Sequence, residues 1–346
     1  MSNQSTTANS TPAFDAQAKE RQLKAESDSW NTTIVEEARE GDIPVIDIAD
    51  YLASGSEWDR AEVAAQLKAA CEETGFFSVT GHQVSTTQLN TAFEKTRQFH
   101  ALPLQDKKAI LMDRPDWPVG GIGYLPIKNT KLPARDTGNV NEAFIIKCDH
   151  KLGMDDNQWP DPAAAPGFRE VVTDYANSMH RLGMQMLPLY ATALDMPPTF
   201  FDEAFDTPLY RLRMTHYPPV EGASTAEFGI APHVDTSFCT ILAQDQAGLC
   251  IFSERRQQWI SAPALEGAFI VNTGELLKQW TNDRFISVKH FANNNTADTS
   301  RYSIPFFFNA NPTYKMTCVP SCCGPDNPAK YPPISYLESQ GVVQGE

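Results

Sequence analysis

The chain has 346 residues, enough to bury a large core, and sets 28 Lys plus Arg against 43 Asp plus Glu, a formal charge of −15. That balance excludes the concentrated basic surface needed for a nucleic-acid or anionic-membrane partner, but leaves room for a small anion held by a local arginine. No apolar run approaches the roughly 20 residues of a membrane span, and seven scattered cysteines suit reduced thiols better than a disulfide framework.

In chain order, residues 1–35 are rich in Ser, Thr, Asn, Gln and charge, so a flexible tail is expected. Its opening, MSNQSTTANSTPAF, has neither the basic start nor the apolar stretch of a targeting segment, which points to a cytoplasmic protein. IPVIDIADYL reads as a short strand entering a polar turn. A helix is predicted from Trp58 to Thr74, with Val63, Ala64, Leu67, Ala70 and Cys71 at helical spacing, and a second from Thr86 to Phe99. The stretch from Asp113 to Pro133, dense in Pro and Gly, reads as a long loop, and such loops often wall an active site; Tyr124 is a candidate substrate contact there. One long amphipathic helix is predicted between Gly167 and Leu194.

From Pro208 the texture changes to short β-prone runs: LYRLRMTHY, FCTILAQD, LCIFSE, QWISAP, AFIVNTG, SVKHF and RYSIPFFF. Many short strands punctuated by turns predict a mixed α/β (α+β) protein with a double-stranded β-helix, or jelly-roll, core flanked by N-terminal helices. The expected organisation is a tail over 1–35, a helical and β region over 36–205, the jelly-roll catalytic core over 206–315 and a C-terminal segment over 316–346. Asn272 and Trp280 read as sheet and turn residues. CVPSCC reads as a loop with adjacent thiols, since no C-x-x-C pair or nearby histidine supports a metal site.

Chemistry concentrates in HVDTS. In an extended strand, residues two apart share a face, so His233 and Asp235 can bind one metal together, and His290 can join them from another strand. Two imidazoles and one carboxylate on one face of an octahedron suit Fe(II) and leave positions open for a co-substrate and O2. Arg301 and Ser303, also two apart, follow eleven residues beyond His290, and an arginine fork grips a carboxylate at two points. Arg211, Arg213, Thr215 and Tyr217 share one parity on LYRLRMTHY, and Phe307 shares parity with Arg301 and Ser303. Arg213 is therefore a candidate anchor for a substrate carboxylate, phenolate or carbonyl, and Phe307 for stacking on a flat substrate. His216 faces the other way and reads as structural.

The order H-x-D, a histidine some fifty-odd residues later, then R-x-S resembles the iron- and 2-oxoglutarate-dependent dioxygenases of the isopenicillin N synthase-like family. IPVIDIADYL, GFFSVTGHQV, GGIGYLP, NEAFIIK, NQWP and RLRMTHYPP fall in the family's order, so the resemblance covers about Ile43 to Pro312. Thr215 stands where the family often has asparagine, and GHQV replaces its more usual histidine-glycine pair. The resemblance implies a non-haem dioxygenase in which His233, Asp235 and His290 are the catalytic metal ligands. It also implies that Tyr217 contacts the carboxylate of 2-oxoglutarate nearest the iron, and that Arg301 and Ser303 hold the far one. Hydroxylation of a small organic molecule in specialised metabolism is the default outcome, with desaturation or ring rearrangement as variants. Two alternatives stand beside it: an oxidase of the isopenicillin N synthase type that uses no 2-oxo acid, and a non-catalytic ligand-binding protein of the same fold.

Overall fold

A computed structural model describes residues 32, 34–112, 121–127, 138–149, 153–220 and 228–340. Most of the tail expected over 1–35 and much of the loop expected over 113–133 lie outside the described residues. The strands in chain order are β1 (Val35–Glu37), β2 (Val45–Asp47), β3 (Phe76–Thr80), β4 (Gly123–Leu125), β5 (Glu142–Cys148), β6 (Leu209–Tyr217), β7 (Ile230–His233), β8 (Cys239–Gln244), β9 (Leu249–Ser253), β10 (Gln258–Ser261), β11 (Phe269–Thr273), β12 (His290–Ala292) and β13 (Arg301–Asn309). The helices are α1 (Ala49–Ser54), α2 (Glu57–Glu73), α3 (Thr86–His100), α4 (Leu104–Lys108), α5 (Phe168–Ala193), α6 (Glu275–Trp280) and α7 (Tyr336–Ser339).

The strands form two sheets, an eight-stranded one in the order β2-β3-β11-β8-β13-β6-β5-β4 and a five-stranded one in the order β1-β10-β9-β12-β7. This is the expected jelly-roll core with helices. Four strands of the larger sheet precede residue 206, and one buried cluster runs from Ile46 to Tyr336, so the segments expected over 36–205 and 206–315 pack as one body. Among the described residues no helix is long and apolar enough to cross a membrane.

The helices form where local chemistry dictates. Ser56 caps α2 by accepting from Asp59 N, with Glu57 and Asp59 in the first turn, where carboxylates favour the helix dipole. Val63, Ala64, Leu67, Ala70 and Cys71 make its buried stripe. The helix stops at Gly75, whose φ of 67° is left-handed and whose N–H donates to Ala70 O; a Cβ there would lie 2.7 Å from Val288 Cγ2. α5 closes tightly on the larger sheet, because Gly183 meets the Phe308 ring where a Cβ would lie at 3.1 Å.

Alternation along β13 separates the molecule's two functions. Tyr302, Phe306 and Phe308 turn outward to pack with His216, Tyr210 and Phe205, while Arg301, Ser303, Pro305 and Phe307 turn inward and line a cavity between the sheets.

On the helix-facing side, β5 and β6 carry a buried polar network centred on Glu142. Lys107 Nζ and Tyr124 OH donate to its Oε2 at 3.0 and 2.6 Å, and His216 Nδ1 faces its Oε1 at 2.8 Å. This corrects the expectation for Tyr124: it is a buried residue of β4, opposite Phe144, and its hydroxyl serves Glu142 away from the cavity. Burial alone would raise the Glu142 carboxyl, but the neighbouring His100 and His216 imidazoles and the hydrogen bond from Tyr124 outweigh it and hold the group well below its usual range. A depressed carboxylate stabilises fully above its unfolded value of about 4.3 and loses that contribution only as pH falls through the folded value. Glu142→Gln, which leaves the Lys107 charge buried without its partner, is expected to cost about 3 kcal/mol in urea unfolding at neutral pH. A loss below about 1 kcal/mol would show that the network relaxes around the amide.

Candidate functional site

β7 and β12 pair antiparallel with His233 directly opposite His290, so the backbone ladder itself sets the two imidazoles side by side, ring centroids 4.4 Å apart. Asp235 does not share a strand face with His233 as parity predicts, because β7 ends at His233 and Asp235 lies in the turn beyond it. That turn is tied down by Glu275 N, which donates to Asp235 O at 2.8 Å, and by Gly274 N, which donates to Phe238 O.

The result is a convergent donor set. Asp235 Oδ1 lies 3.6 Å from His233 Nε2 and 3.6 Å from His290 Nε2, and the three donor atoms fall within 4.8 Å of one another. Each ligand is oriented from behind. His233 Nδ1 lies 2.8 Å from Ala231 O and His290 Nδ1 lies 3.1 Å from Val288 O, contacts that place the proton on Nδ1 and leave Nε2 as a donor to metal. Asp235 Oδ2 accepts from Thr240 Oγ1 at 2.6 Å and from Asn272 Nδ2 at 2.9 Å, which turns Oδ1 to the histidines. Burial on its own would raise Asp235 and depress His290, but their mutual attraction prevails and holds the carboxyl well below, and the imidazole above, its ordinary value. Two neutral imidazoles and one carboxylate, with room on the cavity side, fit a ferrous ion.

A second group of two histidines and a carboxylate, His100, Glu142 and His216, shows by contrast what does not fit. The Lys107 ammonium already occupies Glu142 Oε2, and His100 Nε2 is engaged with Met214 O, so a cation there would meet a resident positive charge.

The remaining predicted residues fall into two places. Arg301, Ser303 and Tyr217 line the cavity together. Arg301 is buried, its guanidinium lies 4.6 Å from the Tyr217 ring centre, and its Nε and Nη2 donate to Gln246 O and Gln244 Oε1. Its Nη1 is buried with no partner, a donor left over for an anion. Gly248, at φ +146°, lets this side chain pass, since a Cβ there would lie 2.7 Å from Arg301 Nε. Tyr217 OH and Ser303 Oγ lie 3.3 Å apart. Phe307 lines the cavity as expected, with Phe76, Ile230, Leu242 and Phe291 supplying further apolar wall. Arg213 shares its β6 face with Tyr217 but lies outside that lining, and its Nη2 donates to Asn141 Oδ1 at 2.6 Å.

Sequence reasoning missed Thr240 and left Asn272 without a role. Thr240 is a single hydroxyl seven residues beyond His233 whose partnership only the folded sheet reveals. It also missed Tyr336 of α7, whose buried hydroxyl faces Thr236 and lies near enough to Arg211 and Asp235 to feel both charges. Asn272→Ala should weaken iron(II) binding about 10–100-fold while the protein stays folded, as measured by competition with a chelator. Unchanged affinity would mean that Thr240 alone orients the carboxylate.

Comparison with known proteins gives the same picture. The description "non-haem dioxygenase in morphine synthesis N-terminal" matches residues 43–162, and "2OG-Fe(II) oxygenase superfamily" matches residues 208–310. A 2-oxoglutarate-Fe(II) type oxidoreductase of Emericella nidulans is 31% identical over 316 residues, covering 87% of this chain and 88% of the relative. Kihadalactone A synthase of Citrus sinensis is 33% identical over 299 residues, covering 80% and 85%. The crystal structure of Neurospora crassa T7H in complex with alpha-KG and thymine superposes with a TM-score of 0.75 at 23% identity, covering 88% of this chain and 97% of that one, a likeness of fold.

Proposed function

Since the chain belongs to the 2OG-Fe(II) oxygenase superfamily and is an iron(II)- and 2-oxoglutarate-dependent dioxygenase, we propose that His233, Asp235 and His290 are its catalytic metal ligands. We assign the far carboxylate of 2-oxoglutarate to Arg301 and Ser303, and the contact nearest the metal to Tyr217. The observation that carries this reading is the buried, unpartnered Nη1 of Arg301, set in the same cavity as the three convergent donor atoms.

Iron(II) together with 2-oxoglutarate and O2 supplies the oxidising power, releasing succinate and CO2 as a substrate carbon is oxidised. The chain's own residues do the positioning. Thr240 and Asn272 fix which oxygen of Asp235 faces the histidines, while Ala231 O and Val288 O fix the imidazole protons. Arg301 and Ser303 orient the co-substrate from its remote end, and Phe76, Leu242, Phe291 and Phe307 exclude water around the reacting carbon.

The substrate is a small organic molecule, and hydroxylation is the default reaction, with desaturation or ring rearrangement as variants. A pocket set between two sheets and walled largely by apolar side chains suits such a molecule, and the relative named Kihadalactone A synthase supports a place in specialised metabolism. Phe307 and Arg213 are its proposed contacts. Seven unpaired thiols suit the cytoplasm, where we place the protein. With iron(II), 2-oxoglutarate and O2, purified protein should release succinate in step with oxidation of a small molecule. Coupling only to peptides or polynucleotides would overturn this assignment.

A further inference from the structure

The larger sheet carries cations at two separate places on its cavity-facing side. Cross-strand register puts Ser303 opposite Thr215 and Arg301 opposite Tyr217 at one end, and Phe307 opposite Arg211, itself opposite Lys147, toward the other. Arg213 lies between, opposite Ile145 of β5. From Tyr217 to Arg211 is six residues, roughly 20 Å along a strand, so a single five-carbon co-substrate held at Arg301 does not reach this second group.

The two arginines of the second group face no carboxylate among the described residues. Among the described residues neither Arg211 nor Arg213 forms an ion pair, and the Nε of each is buried with no hydrogen-bond partner. Arg213 spends its Nη2 on the neutral Asn141 amide oxygen, and the Arg211 guanidinium lies 5.9 Å from the Phe307 ring centre. Lys147 beside them is fully buried; burial first and the Arg211 charge second push its ammonium down to about 6, against the partial relief of Asp149. Burial and the neighbouring Arg213 charge lower Arg211 itself to about 10. Buried guanidinium donors with no anion are costly, and such clusters are stable when an anion completes them.

The group also adjoins the chemistry. Phe307 lines the metal-side cavity, and the Tyr336 hydroxyl from α7 faces Thr236 and is near enough to Arg211 and Asp235 to feel both charges. An occupant gripped by Arg211 would therefore lay its body along Phe307 toward the three donor atoms.

Resting on the dioxygenase reading above, we infer that the substrate is a small organic acid whose carboxylate is bound by Arg211 and Arg213, with its apolar body against Phe307. Arg211 and Arg213 then act as specificity residues: they choose the acid over its neutral analogue and fix which carbon faces the metal.

The test uses full-length protein loaded anaerobically with iron(II) and 2-oxoglutarate, titrated by calorimetry with benzoate, phenylacetate, nicotinate and hexanoate, each against its primary amide. At least one acid is expected to bind tenfold or more tighter than its amide. Arg211→Gln and Arg213→Gln should each reduce that preference on the order of tenfold or more, with 2-oxoglutarate affinity unchanged and the fold retained by circular dichroism. Acids binding no better than amides, or an acid preference that survives both substitutions, would overturn the inference. Loss of 2-oxoglutarate binding by the unsubstituted protein would instead strike the dioxygenase reading on which the inference rests. Should a glutamine variant fail to fold, Arg211→Lys, which keeps charge but not the fork, must still weaken the acid more than the amide.

Discussion

Asp235→Ala is expected to abolish iron retention and 2-oxoglutarate turnover together. Asp235 faces both histidines, with Oδ1 at 3.6 Å from each Nε2, and it contributes the anionic donor of the three. Its removal leaves two neutral imidazoles and strands the Thr240 hydroxyl and Asn272 amide without their acceptor. The loss in iron affinity should exceed the about 10–100-fold expected when an orienting partner such as Asn272 is removed. Metal analysis after desalting checks it, with circular dichroism to confirm the fold. An Asp235→Ala protein that keeps stoichiometric iron would place the metal elsewhere.

Arg301→Ala should separate the co-substrate from the metal. The guanidinium is buried, braced by Gln244 and Gln246 O and stacked over Tyr217, yet it has no contact with His233, Asp235 or His290. Truncating one partner of a buried, hydrogen-bonded charge pair costs about 2–5 kcal/mol, so the dissociation constant for 2-oxoglutarate should rise by a factor on the order of 30 to several thousand. Iron content should stay near normal. If iron and 2-oxoglutarate binding fall in parallel, the fault lies in a collapsed β13 and not in a lost carboxylate contact.

Much of this arrangement was legible in the sequence, and the reasons differ by residue. β6 and β13 can be read from alternation because polar side chains such as Arg211, Arg213, Arg301 and Ser303 on one face alternate with Leu212, Met214, Ile304 and Phe306 on the other, leaving a period of two. α2 and α5 carry an apolar stripe of helical period, and their bounds fall within a residue or two of those predicted. The metal triad was legible because its spacing combines with R-x-S. What stayed hidden is partnership across strands. Asn272 reaches Asp235 over 37 residues, and Lys107, His100 and Tyr124 meet at Glu142 from α4, α3 and β4, none of which leaves a local pattern. Tyr124 was misplaced for that reason: the glycines around it suggest a loop, and which way its ring points is decided by register with β5.

Anaerobic titration of iron(II)-loaded protein with 2-oxoglutarate, following the weak visible metal-to-ligand charge-transfer band that chelation produces, decides whether this site holds the metal and the co-substrate together. A saturable band is expected, and it should be absent in His233→Ala. Iron that binds normally but gives no band at any 2-oxoglutarate concentration would mean that 2-oxoglutarate does not chelate the metal here.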